Sequence, residues 1–178
     1  KENILDAINT LGFKIANPDS IRSRRDFNRY LIDYPISFGA GYLKPNLIAE
    51  TAVYIRAFPN DKMKASSIVA DYLLEAGFDS LIKEHGIEPF EVNVQLATRT
   101  FIDKIFAIAD YYLSGTVDEH SRHLYDVYKL MGIVSIDDEL ATLLKEVREE
   151  RKPHQNCHSA KDGVDLKSTL IEIIENDA

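Results

Sequence analysis

The stretch SRHLYDVYKL sets Arg122, His123 and Asp126 within little more than one helical turn. The preceding TRTFIDKIFAIADYYLSG contributes Arg99 and Lys104. Cations grouped with a carboxylate are suited to phosphate chemistry. A lysine ammonium is a compact charge that fits triphosphate oxygens, and an arginine near a helix start adds charge where exposed N–H groups already favour anions. Each residue also has a plainer reading. Arg122 and Asp126 at i, i+4 make an ordinary surface pair, Lys104 at the border of an apolar stripe can snorkel, and Arg99 can pair with a neighbouring acid.

Two further places hold chemically capable groups. Glu50 sits in the middle of the apolar LIAETAVYI, where a buried acid needs a partner or a metal, whereas at a sheet edge it faces water. HQNCH brings His154, Cys157 and His158 together, a thiolate and imidazole set suggestive of zinc. Structural zinc takes four ligands and no second pair lies nearby, so a structural loop is the preferred reading. The chain contains no G-x-x-x-x-G-K-[ST], G-x-G-x-x-G or H-E-x-x-H motif.

The elements that must position these groups follow from periodicity and stop signals. Ile4, Leu5, Ile8 and Leu11 before Gly12 predict a helix near 2–11. FNRYLIDYPISF is strand-like, with Pro35 confining it to an edge or bend. From Asn46 apolar groups on both faces predict an interior strand ended by Phe58, Pro59 and Asn60. Helices are expected near 66–75, carrying Ile68, Val69, Tyr72 and Leu73 inward, and near 80–84. FEVNVQLA alternates as a further strand. After it the reading is helical. A helix capped by Thr98 or Thr100 buries Phe101, Ile102, Ile105, Ile108, Ala109 and Tyr112. Next comes the SRHLYDVYKL helix, with Leu124, Val127, Tyr128 and Met131 on one face and Arg122, Asp126 and Lys129 opposite. A helix at 136–151 is capped by Ser135, and the last runs from 164 to 176. Strands therefore fill the first half and helices the second. The expected class is α+β, with an α/β part over 1–97 and a helical part over 98–178.

Composition narrows the function classes. The 178 residues are 45% hydrophobic and carry a net charge of −8, which argues against sequence-blind nucleic-acid binding over the whole surface and leaves only local patches such as RSRRDFNR and KEVREERK. The single cysteine excludes an internal disulfide and fits a reducing compartment; cytoplasm is expected. No apolar run approaches the roughly 18 residues of a membrane span.

The succession LIAETAVYIRAFP, TRTFIDKIFAIADYYLSG, SRHLYDVYKL and NCHSAKDGVDL resembles the nucleotidyltransferase family of AbiEii/AbiGii toxins over nearly the whole chain. The resemblance implies a partial, polymerase β-like minimal nucleotidyltransferase mixed sheet with helices, followed by a C-terminal helical bundle. It further implies transfer of a nucleotide from an NTP to an acceptor such as tRNA, Mg²⁺ as cofactor, an antitoxin partner and a part in phage defence. Residue by residue, the family's third-motif lysine falls on Lys104 and its fourth-motif aspartate on Asp126, both catalytic. Arg99, Arg122 and His123 would bind nucleotide, and Glu50 would serve the metal. The family's opening Gly-Gly or Gly-Ser turn and its Asp-x-Asp pair have no counterpart in the sequence. The expectation is therefore a piece that starts after them, ends short at IIENDA and transfers nothing alone. The competing expectation is a binding or regulatory relative that recognises an antitoxin or RNA without transfer.

Overall fold

The computed structural model describes residues 2–22, 26–35, 44, 46–53, 56–116 and 122–176. They divide into two compact units, Lys1–Arg56 and Ala57–Ala178. Seven α-helices and two small antiparallel sheets make the fold α+β.

The first unit opens with helix α1, Glu2–Thr10, followed by β1, Lys14–Ile15, and a 3-10 turn at Pro18–Ser20. Strands β2, Phe27–Asp33, and β3, Asn46–Ala52, complete a sheet ordered β1-β2-β3. Tyr30, Ile21 and Ile8 are its buried apolar residues. Asn17 ties the turn to β2: its side-chain oxygen accepts from the Leu31 N–H, and its amide donates to the Arg29 carbonyl. The strand expected in the interior, β3, lies at the edge among the described residues, and β2 takes the centre. The apolar residues on both faces of β3 are consequently exposed, Leu47 and Ile48 among them. Both described sheets are antiparallel, whereas the resemblance implied a mixed one.

The second unit begins with β4, Asn60–Ala65, which pairs antiparallel with β5, Phe90–Gln95, in the register Asn60↔Gln95 to Ala65↔Phe90. Between them run α2, Ile68–Glu75, and α3, Asp79–Glu84. Ser67 caps α2 by accepting the Ala70 N–H. Ala70 is the residue α2 buries, while Ile68, Val69 and Tyr72 stand exposed, so the inward face read from periodicity is corrected.

Four helices follow: α4, Ala97–Ser114; α5, Arg122–Leu130; α6, Asp138–Arg151; and α7, Leu166–Asn176. A 3-10 turn at His158–Ala160 lies between the last two. Their shared core contains Phe101, Ile102, Phe106 and Ala109 of α4, Leu140 and Val147 of α6, Cys157 and Ala160 of the loop, and Leu166 of α7. Gly115, at φ 72, stops α4 in the left-handed conformation open to glycine. The Gly115 N–H bonds the Tyr112 carbonyl and the Thr116 N–H bonds the Tyr111 carbonyl, the Schellman pattern. This arrest turns the chain toward α5.

Candidate active site

On α4, Lys104 and Tyr111 are seven residues apart and share a face; on α5, His123, Asp126, Val127 and Leu130 do so at i, i+3, i+4 and i+7. Contacts step back along α4 as they step forward along α5, from Tyr111–His123 to Lys104–Asp126, the order of an antiparallel pair. Val127 and Leu130 pack on the helical core, while Leu124, Tyr128 and Met131 point outward. Of the face expected to be apolar, Val127 packs inward while Leu124, Tyr128 and Met131 are exposed, and Asp126 lies toward α4. Tyrosine and methionine tolerate exposure, and the ion pair with Lys104 fixes the rotation that periodicity alone left ambiguous.

The Lys104 Nζ lies 2.8 Å from Asp126 Oδ2 and 3.1 Å from His123 Nδ1. An ammonium only donates, so a hydrogen bond from Lys104 requires the Nε2–H tautomer of neutral His123, whereas Asp126 Oδ2, 3.6 Å from the same Nδ1, draws a proton toward it. Burial, and after it the charge of Lys104, lowers the proton affinity of His123, the hydrogen bond to Asp126 acting in the opposite sense. The imidazole stacks on the Tyr111 ring at 5.7 Å between centroids and 7° between planes. The hydrogen bond from Lys104 holds the Asp126 carboxyl below the usual carboxylate range.

Lys104 and Asp126 are thus brought together in a partly open position, their side chains 28% and 39% exposed. His123, expected on a nucleotide, is buried at 7% exposure. Arg122 is exposed at the start of α5, and its expected pairing with Asp126 gives way to Lys104 and His123. Lys129 lies over the rings of Tyr125 and Tyr128 on the outer side of α5.

Arg99 departs furthest from expectation. Its side chain is 2% exposed and donates to Asp103 at 3.2 Å, Glu150 at 2.9 Å and the Phe58 carbonyl at 2.6 Å. The alternative of pairing with acids describes it, and the phosphate reading is corrected. Asp103 also meets Arg151, which reaches Asp110; Asp110 in turn accepts from the backbone N–H and the hydroxyl of Ser159. This chain of charges joins α4, α6 and the loop of the NCHSAKDG stretch. Sequence reasoning missed it, because Arg99 and Glu150, or Asp110 and Ser159, lie about fifty residues apart with no local signal. The HQNCH loop is held through carbonyls: Lys161 donates to Lys152 and His154, and Arg148 to Ala160, Lys161 and Val164. Burial raises the Cys157 thiol, the opposite of what a metal-bound thiolate requires.

Glu50 belongs to the first unit. It stands directly across from Arg29 in the β2–β3 register, and the two form an exposed ion pair at 2.7 Å. The edge reading of this acid holds, and the buried one is corrected. Among the described residues no group of three His, Cys, Asp or Glu side chains comes together. These residues do not fit a Mg²⁺ site.

The family model described as Nucleotidyl transferase AbiEii toxin, Type IV TA system, matches residues 2–175 of the chain. The chain belongs to the AbiEii family. No curated protein and no solved structure gives a significant match. Among the described residues no helix of this AbiEii member is long and apolar enough to cross a membrane.

Proposed function

We propose that Lys104 and Asp126 form the phosphate-facing half of a nucleotidyl-transfer site, carried by the α4–α5 pair of a toxin of the AbiEii family. The observation that carries this reading is the ion pair across the two helices, partly open to solvent, on the two residues that the resemblance assigns to the family's third and fourth motifs. In the reaction a hydroxyl oxygen of the acceptor bonds to the α-phosphorus of an NTP. The bond from that phosphorus to the bridging oxygen breaks, and pyrophosphate leaves with the electron pair as the hydroxyl proton is lost. Lys104 neutralises charge on the triphosphate oxygens, a contribution that is mostly positioning and electrostatics. Asp126 orients the ammonium. Exposed Arg122 at the head of α5 supports an additional phosphate contact.

The acceptor is proposed to be an RNA end, tRNA included, and the setting a cytoplasm in which a cognate antitoxin restrains the activity and phage infection releases it. The support is the toxin–antitoxin family together with the basic and aromatic outer side of α5. Mg²⁺ would need acids beyond those that the described residues assemble. The 178 residues contain no Asp-x-Asp pair. They are accordingly proposed to be inactive alone; a gene product of this family that also holds such a pair would be the active form.

The test incubates that gene product with NTPs labelled at the α-phosphate and total RNA. Label should pass to RNA, and Lys104→Ala or Asp126→Ala should abolish it while the melting temperature changes little. Failure of label transfer, or retention of activity in both variants, overturns the proposal; tight RNA or antitoxin binding without transfer would favour the regulatory reading.

A further inference from the structure

We infer that His123 is a positioning residue: its neutral, buried imidazole offers Nδ1 as a fixed acceptor that aims the Lys104 ammonium. The inference rests on the proposed phosphate role of Lys104. A lysine stem has four rotatable carbons and loses more rotamer freedom when fixed than an exposed ion pair reliably returns. Asp126 alone, 39% exposed, is therefore a poor guide. His123 is 7% exposed and its ring plane is set by Tyr111, so the acceptor 3.1 Å from Nζ has a fixed direction. Two acceptors at 2.8 and 3.1 Å define where the remaining N–H of Lys104 points.

The choice of an imidazole has a physical reason. A second carboxylate at this point would orient the ammonium and also cancel its charge, leaving nothing for a phosphate. A neutral ring orients without neutralising. Among the groups facing the imidazole are Lys104 and Tyr111 from α4, and Arg122 and Asp126 from its own helix. The charges of Lys104 and Arg122 oppose a third positive charge there, and Asp126 favours it. Burial also opposes it.

The first arm of the test records the imidazole nitrogens of the 178-residue protein by NMR. The His123 signals should show the Nε2–H tautomer near neutral pH, and Lys104→Met should displace Nδ1. An Nδ1–H tautomer, or signals indifferent to Lys104→Met, overturns the inference. The second arm measures transfer by the full gene product. His123→Phe keeps the ring and its stack but removes the acceptor; His123→Asn keeps an acceptor near Nδ1. Phe should lower kcat by about a hundredfold, as for a misaimed group, and Asn should restore most of it. Equal losses in Phe and Asn overturn the inference. A wild type that transfers nothing overturns the transferase proposal instead, and the imidazole spectrum then decides for His123.

Discussion

In the proposed site three ordinary side chains divide the labour: Lys104 would carry the charge, Asp126 pairs with it, and His123 would hold the direction. Their titration gives two signed predictions. Folding lowers the His123 proton affinity from its ordinary value of 6.5, so between the folded and unfolded values the unfolded chain binds more protons. The stability from His123 is therefore full above 6.5 and declines as pH falls below it. Urea midpoints of the wild type should drop between pH 7.5 and 5 by more than those of His123→Phe. Asp126 behaves as a depressed carboxylate: its contribution is present above 3.8 and disappears as pH falls through its lower folded value. The wild-type advantage over Asp126→Asn should hold at pH 5 and shrink only under about pH 4. Lys104 and Asp126 were singled out through the family resemblance of the two stretches that hold them; their ion pair is seen only in the structure. The role of Arg99 was not legible in the sequence: an arginine near a helix start looks the same whether it meets a ligand or Glu150, and the difference is decided by α6.

Helix α4 serves two neighbours at once. Lys104 and Tyr111 serve α5, while Arg99, Asp103 and Asp110 serve α6 and the loop after it. Asp110→Ala leaves the Arg151 guanidinium and both Ser159 donors without their carboxylate in a buried place. Loss of about 3–5 kcal/mol in chemical denaturation is expected, the usual cost of breaking a buried pair. Ser67→Ala, which removes the cap of α2, should cost only about 1 kcal/mol in the same measurement. Most helices were readable from stripes and stops, since Leu140, Leu143, Leu144 and Val147, or Phe101 and Ile102, do pack where their spacing puts them. Their starts were less so. Leu96 precedes α4 with no side-chain cap, and Asp137 rather than Ser135 caps α6 by accepting the Leu140 N–H. Strand β4 was missed altogether, because NDKMKA has no alternation to detect: both its faces are wet, and what makes it a strand is the backbone of β5. The rotation of α5 was misjudged for a related reason, since its amphipathic pattern admits two apolar faces and Lys104 selects between them.

The helical core closes within Ala57–Ala178, its members running from Phe101 to Leu166. Residues 57–178 produced alone should therefore melt as one cooperative transition with helical circular dichroism; a broad, uncooperative profile would show that Lys1–Arg56 is needed to complete it. The α+β class was legible from the order of strands before helices. The grouping of β4 and β5 with the helices was not, because it depends on Arg99 reaching the Phe58 carbonyl, a contact no local pattern announces. Cys157 lies inside this core, 5% exposed, and is the one thiol in the chain. A maleimide can alkylate it only after the loop has parted from α4 and α6. The protein consequently carries its own stopwatch: the pace of alkylation in native buffer reads how often that packing breathes, with no label to install and no competing sulfur to silence.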